Sequence, residues 1–356
     1  MKIKIRALQV MCGDSIWVEL GEGKQRYDIL IDAGYANTFL TSLNPVFSAL
    51  KKKKIDLWIL THLDADHING AVSFLRSRNE SLKGRVAQFW FNCFDRFQMP
   101  ANTRKVSVGK GIEIRDRLKT VGSTLDNQLV AGMDKVVGGV QFRIISPDQD
   151  TFNKLESKWK VLEKEYWKKK GAKKVLASER KDDLLTIEEL AARPDACEDE
   201  NDIANMSSIA FSLETKENKV LFLGDAHPTK LIAGLKRLQP EDGSRIYYDC
   251  IKLPHHGSRA NYSSKLLDVV ESYRFIISCN PGNSHGLPNK EVLSKILMHP
   301  KRNKEKQIEF IFNYKGGVFD KIFKVDENHL IKHNFTCNYP EGNRKYGEIK
   351  FGTKND

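Results

Sequence analysis

The chain of 356 residues carries no C-x-x-C pair, no G-x-S-x-G elbow and no G-x-x-x-x-G-K-[ST] loop. Its six cysteines, Cys12, Cys93, Cys197, Cys250, Cys279 and Cys337, are scattered. That spacing argues against a thiolate zinc site and a disulfide framework, and fits reduced thiols in a core. The missing elbow and phosphate loop leave other nucleophilic schemes little support. No apolar run approaches the ~20 residues of a membrane span, and no charged-then-apolar leader opens the chain. The expectation is a soluble, cytoplasmic protein with no membrane association. Charge balance is also lacking: 58 Lys and Arg against 46 Asp and Glu leave a net +12. Such a surplus suits an anionic partner, nucleic acid ahead of a membrane surface.

What is present centres on Thr61-His62-Leu63-Asp64-Ala65-Asp66-His67. The apolar run at 55–60 reads as a buried strand, and residues 68–75 as the start of a helix. Four metal-capable side chains, His62, Asp64, Asp66 and His67, therefore share one turn held rigidly at both ends. Imidazole and carboxylate together suit divalent zinc, manganese or iron. The plainer alternative is a polar turn in which Asp66 caps the helix and the histidines are solvated.

Residues 2–7 alternate polar and apolar, as a half-buried strand does. Residues 16–20 and 27–31 read as strands joined at Gly21-Glu22-Gly23-Lys24, the second ending at Asp32-Ala33-Gly34. The pattern predicts a helix over 44–54 with lysines at its carboxyl end. A strand is predicted over 86–92, and a helix within the polar region 95–129. Strand character returns at 140–145.

The composition then changes. Residues 151–181 hold eleven Lys and Arg against four Glu, with Leu155, Trp159, Leu162 and Tyr166 at helical spacing. That predicts an amphipathic basic helix inserted outside the sheet. It suits nucleic acid, a membrane surface or a protein partner, or it is simply solvated. The acidic stretch after it, with Glu188, Glu189, Glu198, Asp199 and Glu200, is expected to be a flexible linker.

Beyond the linker, strands at 208–213, 219–223, 247–253 and 275–279 alternate with helices. Three of these strands end in loops bearing Gly224-Asp225-Ala226-His227, Pro254-His255-His256-Gly257-Ser258 and Ser284-His285-Gly286. With the first motif, that makes four strands whose ends carry His or Asp. In layered α/β proteins ligand sites lie outside strand carboxyl ends, so these loops can converge on one edge.

Together these motifs resemble the metallo-β-lactamase-fold hydrolases, and within them the competence-protein branch, the hydrolase domain of ComEC-like DNA-uptake proteins. Gly13-Asp14-Ser15, Leu30-Ile31-Asp32-Ala33-Gly34 and the stretch from Asn205 to Ser208 also match that branch. The resemblance implies an αββα sandwich with two divalent metal ions at one edge. It implies that His62 and Asp64 hold the first ion. Asp66 and His67 hold the second, joined by His255 or His256, and Asp225 bridges. His285 corresponds to a late histidine that contacts substrate phosphate or completes the second site. Asp64 stands where the family motif has histidine, and no histidine lies between His67 and His227. Asn205 or Asp202 falls near the position of the missing third ligand. A carboxylate-rich first site makes manganese or magnesium as suitable as zinc.

Two such ions activate a water and clamp the attacked oxygens, with Asp66 or Asp225 taking the proton. With a basic chain, the expectation is a phosphodiester hydrolase, a nuclease acting on DNA or RNA. Catalytic roles fall to Asp66, Asp225 and His285. Lys252, Ser258 and Arg259 are candidates for substrate contact, and a solvated surface cation is the plainer alternative for each cation. Two other readings remain: hydrolysis of a small cyclic or linear nucleotide, or a non-catalytic nucleic-acid-binding or regulatory protein with a degenerate site. Residues 307–314 and 318–325 alternate around Gly316-Gly317 and predict a β-hairpin. Residues 301–356 are thus expected to be a C-terminal β extension packed on a domain of residues 1–300, itself interrupted at about 151–200. In the tail, Phe335, Tyr339 and Tyr346 lie among Arg344, Lys345 and Lys350, and packing onto the parent domain is their expected role.

Overall fold

The computed structural model describes residues 1–21, 25–51, 53–77, 84–94, 110–118, 122–168, 181–326 and 329–352. In chain order the strands are β1 (Ile3–Leu8), β2 (Ile16–Leu20), β3 (Tyr27–Ile31), β4 (Ile55–Ile59), β5 (Val86–Trp90), β6 (Thr124–Asp126), β7 (Asp134–Val137), β8 (Val140–Ser146), β9 (Ala210–Glu214), β10 (Lys219–Phe222), β11 (Ile246–Tyr247), β12 (Cys250–Lys252), β13 (Val270–Glu271), β14 (Arg274–Ile277), β15 (Ile308–Phe312), β16 (Phe335–Asn338) and β17 (Tyr346–Phe351). The helices are α1 (Asn44–Ala49), α2 (Ala65–Arg76), α3 (Lys110–Leu118), α4 (Gln149–Lys168), α5 (Ile187–Ala191), α6 (Ile203–Met206), α7 (Pro228–Lys236), α8 (Leu266–Val269), α9 (Lys290–Leu297) and α10 (His329–His333). One sheet runs β17-β1-β2-β3-β4-β5-β6 and the other β16-β15-β14-β12-β10-β9-β8-β7, with β11 and β13 paired apart.

Alternation along the strands explains the layering. Ile29 and Ile31 on β3, and Leu57 and Ile59 on β4, meet Phe142, Phe211 and Phe222 of the other sheet. The intervening Leu30 and Trp58 face outward, onto α1, α2 and the first half of α4. On the far side Leu221, Ile251, Phe275 and Phe310 pack under α7, α8 and α9. The result is helices, sheet, sheet, helices: a mixed α/β architecture consistent with the metallo-β-lactamase fold. Trp58 is fully buried among aromatic rings, so truncating it to alanine costs roughly 3–5 kcal/mol. Among the described residues no helix is long and apolar enough to cross a membrane.

Strands β3, β4, β5 and β6 are parallel, as are β10, β12, β14, β15 and β16. Parallel strands bring their carboxyl ends to a common edge. There Asp32 follows β3, the His62 turn follows β4, Asp225 follows β10, and His255 and His256 follow β12.

Several expectations are corrected. The runs at 307–314 and 318–325 do not pair. β15 is an interior strand between β14 and β16, while Phe319 and Ile322 pack from short 3-10 turns. The tail returns to the first sheet, where β17 pairs antiparallel with β1. The acidic stretch is not a loose linker. A capping box between Thr186 and Glu189 starts α5, whose Ile187 and Leu190 are buried. Asp195 accepts from Ser263, Ser264 and Lys295, and Glu198 from Thr229. The basic helix α4 lies outside the sheets as expected, and its Phe152, Leu155 and Trp159 are core residues. The side chains of Leu162 and Tyr166, and residues 169–180, lie outside the described residues. The predicted hairpin turn at 22–24 and residues 95–109 lie outside them as well. In the polar region, the edge strand β6 accompanies the helix α3.

Candidate metal centre

The turn after β4 is shorter than its sequence suggests. Asp64 is the N-cap of α2, so Asp66 and His67 lie in the helix's first turn. Gly13 permits this: a Cβ there would stand 2.3 Å from the Asp66 carbonyl oxygen. From the second sheet, Pro254-His255-His256-Gly257 makes a tight turn in which both histidines adopt left-handed backbone, φ 43° and 56°. Asp32 has φ 57°. Non-glycine residues rarely hold this conformation, and it concentrates where a site requires a side chain to be aimed.

These elements bring His62, His67, His256, Asp66 and Asp225 together. Asp225 is the hub. Its Oδ2 lies 3.3 Å from His67 Nε2, 3.8 Å from His62 Nε2, 3.7 Å from His255 Nε2 and 4.0 Å from His256 Nε2. Asp66 Oδ2 is 3.4 Å from His256 Nε2 and 3.8 Å from His67 Nε2. Donors on one tetrahedral ion, each ~2.1 Å from it, stand ~3.4 Å apart. Two of these six contacts, His67 to Asp225 and Asp66 to His256, have that spacing, and the other four run from 3.7 to 4.0 Å. Two groups of ligand atoms fit a single ion each: His62, His67 and Asp225, and Asp66, His67 and His256. A third group, Asp14, Asp32 and His67, lies behind them.

Unpaired atoms make the same point. His62 Nε2, His67 Nε2, His256 Nε2 and Asp225 Oδ1 are buried without a hydrogen-bond partner. A fold does not leave several such atoms unpaired around one point unless something else satisfies them. The residues present fit divalent ions.

The opposite ring nitrogens are all held. His67 Nδ1 donates to Asp32 Oδ2 at 2.8 Å, and His256 Nδ1 donates to the Ser278 carbonyl at 2.7 Å. His62 Nδ1 meets the hydroxyls of Thr61 at 3.0 Å and Ser208 at 3.3 Å. Asp32 also accepts from Thr61, through both its amide and its hydroxyl. Ser208 Oγ accepts from the Asp225 amide, and Gly224 is required there because a Cβ would lie 2.3 Å from that hydroxyl. Such partners fix ring orientation and aim Nε2 at the ion.

Charge is arranged to suit. Burial and the neighbouring His67 lower His62 to about 4, so it is neutral. Burial opposes protonation of His67, yet Asp225, Asp32 and Asp66 hold its pKa well above the usual value. Burial likewise opposes protonation of His256, but Asp14, then Asp225 and Asp66, raise it to about 9. Burial alone would raise Asp225; His67, His255 and His256 instead hold it well below the carboxylate range. Asp64, at the cleft mouth, is shifted upward by partial desolvation and then by Asp66. The carboxylates Asp225, Asp32, Asp66 and Asp14 thus favour positive charge at this point, which a divalent ion would supply.

The remaining expected residues divide. His255 is half-buried and its Nδ1 contacts Asn261 Oδ1 at 2.7 Å, which leaves Nε2 facing Asp225. Asp64 Oδ2 stands 4.0 Å from His62 Nε2. Of the two substitutes for the missing histidine, Asp202 already accepts from Asn205 through both oxygens, whereas Asn205 Oδ1 is buried and unpartnered. His285, Ser258 and Arg259 line the cleft above the cluster, a space of about 780 Å³, with His285 exposed and Arg259 54 % exposed. Lys252 is corrected. It is 1 % exposed and bonds Asp14 Oδ2 at 2.6 Å behind His256, out of a substrate's reach. Residue order alone assigns no role to the orienting residues Asp32, Thr61, Ser208 and Asn261. An aspartate at a strand end before Ala33-Gly34 is the one available signal for Asp32.

The metallo-beta-lactamase superfamily matches over residues 13–129, the stretch that supplies Asp14, Asp32 and the His62–His67 motif. That match and the architecture support a metallo-β-lactamase superfamily fold, which typically binds divalent metals, often two. No curated protein matches the chain. Among solved structures, it is similar to the metallo-beta-lactamase fold protein YhfI from Bacillus subtilis, at 11% identity over 99% of this chain and 100% of that one, TM-score 0.44. It is also similar to Zn(2+)-bound PqqB from Methylobacterium extorquens, at 9% identity over 99% and 100%, TM-score 0.43. A third is CmlA, a diiron beta-hydroxylase from Streptomyces venezuelae, at 12% identity over 98% of this chain and 54% of that one, TM-score 0.44.

Proposed function

We propose that the protein is a metal-dependent phosphodiester hydrolase, a nuclease acting on DNA or RNA. The observation that carries the metal chemistry is the group of unpartnered His Nε2 atoms around Asp225 on the floor of an open cleft. His67, His256, Asp66 and Asp225 would hold one ion, and His62, Asp64 and Asp225 the other, with Asn205 Oδ1 available to the second set. Divalent ions held there supply a water of lowered pKa and positive charge against the oxygens of the attacked group. Asp225 Oδ1, unpartnered, is placed to orient that water, and Asp66 to accept its proton. Arg259 and His285, on the cleft wall, face an anionic substrate.

The nucleic-acid reading is supported by charge. The net +12 is concentrated in residues 151–181, and the chain runs from them directly into Asp182 and Asp183, which line the cleft. The motifs Gly13-Asp14-Ser15 and Pro254-His255-His256-Gly257-Ser258 favour the competence-protein branch among hydrolases of this fold.

The test is cleavage of labelled single- and double-stranded DNA and RNA with manganese, magnesium or zinc, beside Asp66→Ala. Metal-dependent cutting that disappears in the variant is expected. A protein that holds metal and cuts small nucleotides but nothing polymeric contradicts the nuclease reading.

A further inference from the structure

A second concave surface lies away from the metal ligands, on the outer face of the first sheet where the helical layer stops. It encloses about 1000 Å³ between β1, β2, the start of α1 and the loop that leads into β17. Its floor is apolar and aromatic: Leu8, Trp17, Val46 and Tyr346. Its lining holds five cations, Lys4, Arg6, Arg26, Arg344 and Lys345, against the carboxylates Glu19 and Glu341. Resting on the nuclease reading above, we infer that this groove is a binding site for single-stranded nucleic acid flanking the strand in the metal centre.

The argument begins with Arg6. Its guanidinium lies over Trp17, 4.6 Å from the ring centroid, and 5.2 Å from that of Tyr346. Glu19 holds it at 2.6 Å and Glu348 at 2.8 Å. Trp17 is fixed in turn, its indole N–H donating to Asp28 at 2.9 Å. The rings of Trp17 and Tyr346 cover this guanidinium, so stacking of an unstacked base falls to the part-exposed ring of Tyr346. Arg6 and Arg26 are largely spent on Glu19, Glu348 and Asp28, so they supply the planar floor and little net charge.

The attraction comes from the rim. Lys345 is exposed, and Arg344 is 49 % exposed with a 3.4 Å contact to the more solvated Glu341, a pairing of small energy. Their loop is not loose, because the Lys345 carbonyl accepts from the Gln9 amide at 3.0 Å. Gln9 follows β1 directly, and Cys12 in the metal cleft comes four positions after Leu8 in the groove. Chain of that length spans at most about 14 Å. A strand that reaches from one site to the other would lay its phosphates on the rim and a base against Tyr346. The cation-aromatic tail of the sequence thus acquires a use, Tyr346, Arg344 and Lys345 all lining the same groove.

The experiment measures binding of the full-length chain to single-stranded phosphorothioate DNA of about 16 nucleotides, the upper site size of such grooves. Wild type is compared with Arg344→Ala/Lys345→Ala and with a control of equal charge change, Lys236→Ala/Lys304→Ala, at exposed positions outside the groove. The groove variant should bind more weakly, and its slope of log affinity against log salt should fall by about 1.4, about 0.7 for each phosphate no longer neutralised. The control should match wild type. Equal weakening in both variants, unchanged affinity in the groove variant, or no binding by wild type overturns the inference. Cleavage of ordinary DNA is followed in parallel. Groove-dependent binding without any cutting would sink the nuclease reading and leave the groove standing. Cutting with groove-independent binding would do the reverse.

Discussion

Around Asp225, His67 and His256 are each oriented by a rigid acceptor, the Asp32 carboxylate and the Ser278 carbonyl. His62, its ring 4.2 Å from that of His67, is instead turned by two hydroxyls and accompanied by the half-exposed Asp64. The first group is complete before any ion arrives. The second lacks a third histidine and must draw on Asn205 or water. Preorganisation lowers the cost of binding, so the His67–His256–Asp66 side is expected to take an ion more tightly than the His62–Asp64 side. The difference teaches that a centre with two ligand groups need not be a centre with two equal affinities.

The largest effect is expected from Asp225→Ala, which removes the carboxylate proposed above to serve both ions. Metal content measured by elemental analysis should fall at both positions, and metal-dependent activity should drop to background. Lys252→Met comes next. It strands Asp14 as a buried charge beside His256 and should cost about 3–5 kcal/mol in denaturant unfolding. Asp32→Ala frees the His67 ring, and affinity for the first ion bound should fall about 10–100-fold, with a smaller change for the second. Equal losses at both would erase the distinction between the sides.

Stability against pH sharpens the comparison. In the metal-free chain His256 has a pKa of about 9, above its ordinary 6.5. Its protonated form thus contributes stability that is fully present below about pH 6.5 and lost as pH rises through about 9. Metal-free protein should lose stability over that interval, whereas metal-loaded protein should not, because the ion replaces the proton. Parallel unfolding curves at pH 6.5 and above pH 9, with chelator and with metal, would refute this. The smallest effect is Asp64→His, which supplies the imidazole missing from the weak side. It should tighten the second ion alone and shift preference from manganese toward zinc.

Much of the centre could be read from residue order, because each ligand lies at the end of a strand and strand ends are local signals. The chemistry-bearing loops after β4, β10 and β12 are where the alternation predicts them. What the sequence conceals is nonlocal. The run at 307–314 looks like half a hairpin, since alternation is the same for a hairpin and an interior parallel strand; only its neighbours β14 and β16 decide. The acidic segment looks unstructured because each acid finds its partner far along the chain, Asp195 at Lys295 and Glu188 at Lys332. Lys252 looks like a substrate cation because its partner, Asp14, comes from the other sheet. Asp32 looks like a turn residue until His67 is placed against it.

The central claim is a divalent-metal centre with one preorganised and one weak position, and calorimetric titration of the metal-free chain with manganese and zinc tests it most directly. Two resolved binding events are expected, the tighter one weakened in His256→Ala and the weaker one in His62→Ala. A single event of two equivalent ions would contradict the asymmetry, and no binding at all would contradict the centre itself.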